Sequence, residues 1–135
     1  MAFALIPIEG EGEAITAFIR RAASVHLYVN NHTPNPRDTA GNFREASGHG
    51  YTAQTLHPNA WSRPHGDPLT ASHPVVVFTF TGPARKMFGY YVITSDGKLL
   101  GAEAFPEATP ERPFEDYVIV NPGDRIEIPM FVSAR

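Results

Sequence analysis

Cysteine is missing from all 135 residues, which removes disulfide frameworks, thiolate metal sites, iron–sulfur clusters and thiol catalysis together. Basic residues are scarce: 11 Lys and Arg stand against 14 Asp and Glu, in no run longer than two, for a net charge of −3. A chain of that charge offers no surface that tracks phosphates, so nucleic acid is not an expected partner. No apolar stretch approaches the ~18 residues of a membrane span. The opening MAFALIPIEGEGE lacks the basic region of a signal peptide, so neither export nor a membrane partner is expected. Catalytic signatures are missing as well: no GxSxG elbow, no HExxH, and no HxH pair of the cupin kind. Gly10 and Gly12 stand among glutamates that would repel a phosphate. The expectation is a chain that is not an enzyme, with no catalytic residue, no cofactor-binding residue, no metal ligand and no cofactor.

Proline and glycine are abundant, 13 and 11 residues, which favours turns and short strands over a helical bundle. The apolar share of 42% with 19% charged residues is that of a folded globular chain, and the length suits one domain. Residues 1–8 read as an extended apolar arm interrupted by Pro7, since proline cannot donate to a central ladder. Ala14, Ile15, Phe18, Ile19 and Ala22 share one helical face, predicting a short helix over 12–23. Acids precede it and Arg20 and Arg21 close it, as the helix dipole favours.

From Val25 the period becomes two, and strands are expected across 25–132. Val25, Leu27 and Val29 alternate with His26, Tyr28 and Asn30. Tyr51 to Leu56 reads as a second strand, followed by an 18-residue connection, His57 to Pro74, in which Trp61 is expected to anchor by packing. In VVVFTFTG, Val76, Phe78 and Phe80 fall on one face. Strands are also expected at Met87–Thr94, Lys98–Phe105, Tyr117–Val120 and Arg125–Val132. Ser95-Asp96-Gly97 and Asn121-Pro122-Gly123-Asp124 are turns between them, the latter of type II. About eight strands and one small N-terminal helix make an all-β, antiparallel β-sandwich, jelly-roll-like, the expected fold.

Six histidines invite a metal reading. His57, His65 and His73 recur every eight residues, but four prolines in that stretch forbid the regular strand that would align them, so local hydrogen bonding is expected instead. Glu103, Glu107, Glu111, Glu115 and Asp116 supply carboxylates without a paired geometry, and read as solvated loop acids. A Ser-His-acid triad is recognised by geometry rather than order, and spacing alone does not decide it. His26 and Tyr28 point away from the Leu27 face. Two readings stay open for them: an interface patch, or a pair beneath a loop. His32 stands in the proline-broken loop that follows and reads as a residue that shapes a turn or meets a partner.

The phrases LYVNNHTP, FREASGHGYTAQTL, FTFTG, GYYVITSDGKLLGAEAF and VNPGDRIEI, in that order, resemble a group of small virion proteins of tailed bacteriophages, the capsid decoration or cement proteins. The resemblance runs over about Val25 to Ile128 and consists of strand phrases, without a functional motif. It implies a β-sandwich on the capsid exterior of the virion, assembled in the host cytoplasm. There it would bind the major capsid protein, bridge neighbouring subunits, and associate with itself, most simply as a dimer. Partner contacts are then expected from the arm, through Phe3, Leu5, Ile6 and Ile8, and from His26, Tyr28 and His32. The alternative is a tail- or fibre-associated sandwich recognising a host glycan through outward aromatics and Trp61. A metal-dependent enzyme using the loop histidines is a third reading.

Overall fold

The computed structural model describes residues 8–66, 69–106 and 121–133. The arm residues Phe3, Leu5 and Ile6, and the strand expected at 117–120, lie outside the described residues. Helix α1 spans Ile8–Arg21, beginning four residues earlier than the expected 12–23 and ending two residues earlier. Helical structure therefore runs through Gly10 and Gly12, and Ile8 opens the helix instead of closing an extended arm. Ile15 and Ala22 are buried and Phe18 and Ile19 half-buried, while Ala14, expected on the same face, is exposed.

Six strands are found among the described residues: β1 (Ser24–Tyr28), β2 (Gln54–Thr55), β3 (Thr70–Thr79), β4 (Gly89–Ile93), β5 (Leu99–Ala104) and β6 (Arg125–Ser133). They form a four-stranded antiparallel sheet, β2-β1-β4-β5, and a two-stranded one, β3-β6. β2 keeps only two of the six residues expected for it. β3 reaches back to Thr70, inside the stretch expected to be loop. Its alternation is the one the sequence predicts: Val76, Phe78 and Phe80 are buried, while Val75 and Val77 face out.

The β3-β6 ladder slips between His73 and Val76, where Pro74 and Val75 together face the single residue Pro129. Neither proline has an N–H to give to a ladder, and a bulge is a place where paired strands accommodate such residues. The turns follow their residues too. Gly97 and Gly123 adopt φ of 85° and 90°, and the Asp124 N–H closes the second turn on the Asn121 carbonyl at 3.1 Å.

One core joins the helix and both sheets. Ile15 and Ala22, then Val25, Leu27 and Val92, then Val76, Phe78, Phe80, Ile126, Ile128 and Met130 are all within one buried cluster. Each fully buried side chain of this kind contributes about 1.5–3 kcal/mol over its exposed state. Trp61 anchors its loop as expected, buried edge-on to Phe18 with ring centroids 6.3 Å apart. A second, smaller cluster of Tyr28, Phe43 and Tyr91 lies on the other face of the four-stranded sheet. No helix among the described residues is long and apolar enough to cross a membrane.

Candidate functional site

The second cluster is roofed by the segment between β1 and β2. Residues 43–46 run back along the end of β1: the Val29 N–H donates to the Arg44 carbonyl and the Ala46 N–H to the Leu27 carbonyl, both at 2.9 Å. Phe43, the one inward residue of this stretch besides Ala46, stacks on Tyr91 at 4.9 Å and meets Tyr28 edge-on at the same distance. Asn30 ties the two ends of the roof together, its Nδ2 donating to the Asn42 carbonyl and its Oδ1 accepting the Arg44 N–H.

His32 sits in the roof. Its Nε2 lies 2.7 Å from Asp38 Oδ2, which also accepts the Asn35 N–H at 2.9 Å, and its ring packs edge-on to Phe43. The Tyr28 hydroxyl donates to the His32 carbonyl from below. Burial alone would raise the Asp38 pKa, but the Asn35 N–H and the His32 ring outweigh it and hold the carboxyl below its usual value. His32 is thus a pin that holds the Asn35–Asp38 turn against the aromatic cluster.

His26 is the other pin, and its surroundings are those of a relay. Nε2 is 2.7 Å from Ser24 Oγ and Nδ1 is 2.5 Å from Glu45 Oε2, with the ring stacked on Tyr91. Tyr51 donates its hydroxyl to the same Glu45 oxygen at 2.8 Å and accepts the Leu27 N–H. Ser, His and acid stand in the order of a catalytic triad. Acyl transfer also needs free N–H donors where an oxyanion would form. Around Ser24 the strand is paired on both sides, with Thr55 of β2 and Ile93 of β4. What the array does with the groups it has is fasten the roof to the sheet through a charge-assisted pair.

Burial, and secondarily the Glu45 charge, pushes the Tyr91 hydroxyl up to about 12. Burial likewise raises Tyr51 and Tyr90, helped by the carboxylates they donate to, Glu45 and Glu103. These phenols stay neutral throughout the ordinary pH range.

Of the residues expected to meet a partner, Tyr28 is fully buried and His26 nearly so, with 13% of its side chain exposed. They are the pair beneath a loop, not an outward patch. His32 is half-covered by its own turn, and Ile8 begins α1. His65 and His73 bond local carbonyls, of Arg63 and Pro74, and no group of three or more His, Asp or Glu able to hold a metal occurs among the described residues. Sequence reasoning missed Ser24, Asp38, Glu45 and Tyr51. The Ser24–His26 spacing of two on a strand was a legible signal, but the acid arriving from 19 residues away was not.

Beside the roof, an open cleft of about 480 Å³ lies between residues 44–49 and 83–87. A smaller one, about 240 Å³, lies between Tyr90, Phe105, Ile128 and Pro129. Comparison with family models, curated proteins and solved structures finds no match to the chain.

Proposed function

We propose that the chain is a capsid decoration (cement) protein of a tailed bacteriophage, binding the outside of the major capsid shell and stabilising it by bridging neighbouring subunits. In this reading it works as a homo-oligomer, most simply a two-fold dimer, and its two sheets are the halves of a jelly-roll-like sandwich. The sequence phrases resembling that group support it, and three of them, around Tyr28, Phe43 and Tyr91, meet in the roofed cluster.

The observation that carries the proposal is the outer face of the β3-β6 ribbon. Val75, Val77 and Phe131 are 52%, 36% and 64% exposed there, the only large apolar side chains left in water among the described residues. A row of this kind on a regular ribbon suits a face that a neighbour covers in the working assembly. A standard interface of about 1,600 Å² would have such a row as its centre. The roof, cross-braced by His26, His32 and Asn30, adds a rigid polar surface that loses little entropy on docking. The tail-module alternative relied on Tyr28 and Trp61 as sugar platforms, and both are buried.

Mass-spectrometric counting of copies per purified particle tests the proposal: hundreds are expected, and a few copies or none would overturn it. Phe131→Glu should release the protein from shells while leaving its melting temperature unchanged. Retained binding would place the contact on another face.

A further inference from the structure

We infer that the cleft between residues 44–49 and 83–87 is a binding site for an acidic peptide segment of a partner protein. A Glu or Asp carboxylate would sit among Arg44, Arg85 and His49, and an apolar neighbour on Val29 and Met87. The inference stands on the cleft's own geometry and does not depend on the shell assignment.

Three features carry it. The first is unspent charge. Arg44 and Arg85 line the cleft together with His49. Among the described residues neither guanidinium nor the His49 ring has a hydrogen-bond or ion-pair partner. The acid that lines it, Glu45, is already engaged by His26 and Tyr51.

The second is a constrained backbone. Gly48, His49 and Gly50 all adopt left-handed conformations, with φ of 75°, 53° and 80°, and His49 is the one non-glycine residue with positive φ among those described. The Thr81 N–H holds the His49 carbonyl at 2.8 Å. A Cβ on Gly50 would come within 2.8 Å of the Thr81 side chain. The glycines let this loop lie flat against the end of β3, which is what keeps the His49 ring on the cleft. Non-glycine residues held this way concentrate at ligand clamps.

The third is the position of Arg44, whose backbone is bonded on both sides, by Asn30 Oδ1 and by the Val29 N–H, so its side chain leaves from a rigid base. A planar guanidinium takes a carboxylate through two parallel N–H donors.

The same cleft selects against other anions. Glu45 on the rim repels a phosphate dianion more than a single carboxylate. The apolar floor of Val29, Ala84 and Met87 offers an inorganic anion nothing, whereas a peptide with an apolar residue beside its acid fills both parts. The cleft's volume, about 480 Å³, accommodates two or three side chains.

The test is an NMR titration of the isotope-labelled chain with the capped peptide acetyl-Leu-Asp-Glu-Leu-amide, its neutral counterpart acetyl-Leu-Asn-Gln-Leu-amide, and inorganic phosphate. Saturable shifts are expected at Arg44, His49 and Arg85 with the acidic peptide, at least about tenfold weaker with the neutral one. The double variant Arg44→Gln/Arg85→Gln should weaken binding by a further factor of about ten or more, and Arg37→Gln, an exposed arginine of the same roof, should leave it unchanged. The two single variants give the same readout if the double variant does not fold. Equal binding of the neutral peptide, phosphate binding as tightly, shifts centred elsewhere, or no shifts up to the peptide's solubility limit would each overturn the inference.

Discussion

Gly89 shows how little freedom a single position here has. It pairs with Tyr28 across the β1-β4 ladder, and the Tyr28 ring lies where its side chain would be. A Cβ at Gly89 would stand 2.6 Å from the Tyr28 ring and would also collide with the Glu103 carbonyl oxygen on β5. Both obstacles are fixed, one as backbone of a paired strand, the other as a fully buried aromatic. Gly89→Ala is therefore expected to destabilise the chain by on the order of 3 kcal/mol, read as a lower denaturation midpoint in urea. A neutral result would mean that Tyr28 can leave its place beneath the roof. His32 is legible only to a point at this scale. Its place in a proline-broken turn follows from Thr33-Pro34-Asn35-Pro36, but Asp38 as its partner depends on the fold of that turn.

Among the elements, strand alternation was read correctly wherever one face meets the core and the other meets water. β3 is the example, Val76 and Phe78 buried and Val75, Val77 and Thr79 exposed. Phe80 ends that buried row at 1% exposure, just past β3, with its N–H on the Asp124 carbonyl and its own carbonyl accepting the Gly123 N–H. Phe80→Ala should cost about 3–5 kcal/mol, measured by chemical denaturation. A loss under 1 kcal/mol, on the order of a surface change, would mean the site collapses around the missing ring. Boundaries were less legible than faces. The prolines at 64, 68 and 74 suggested loop up to Val75, yet the ladder runs from Thr70, and Pro74 falls at the step where its register slips. A one-strand reading has no view of the partner strand, and so no way to see that a slip in register takes up the proline. The helix start moved for a similar reason: glycines at 10 and 12 discourage a helix in isolation, by about 1 kcal/mol each. Packing of Ile15, Phe18 and Ala22 on the shared core outweighs that.

For the whole molecule, the four described tyrosines make a test of integrity. Tyr51, Tyr90 and Tyr91 are all raised above the ordinary value of 10.0, Tyr91 to about 12, and Tyr28 is raised too. Phenols raised in the folded state leave stability intact below pH 10, where both states are neutral. As pH climbs from 10 towards 12 the unfolded chain ionises first, so folding is progressively disfavoured. Tyrosinate absorbance should therefore stay low past pH 10 and then rise in a steep step coinciding with loss of the far-ultraviolet β signal. A gradual titration centred near the ordinary value, in a chain that keeps its β signal, would show these rings to be in water.

The sequence by itself determined that the chain is mostly β with one short amphipathic helix, which residues of β1 and β3 share the core face, and where the glycine turns at 97 and 123 must fall. Those are local matters, set by side-chain alternation and by backbone conformations only some residues adopt. The tertiary structure alone decided that His26 and Tyr28 lie covered, that Glu45 and Asp38 complete the histidine pins, and that Arg44, His49 and Arg85 share one cleft. Each of these depends on segments far apart in the chain being brought together by the common core. No spacing along a strand encodes that convergence.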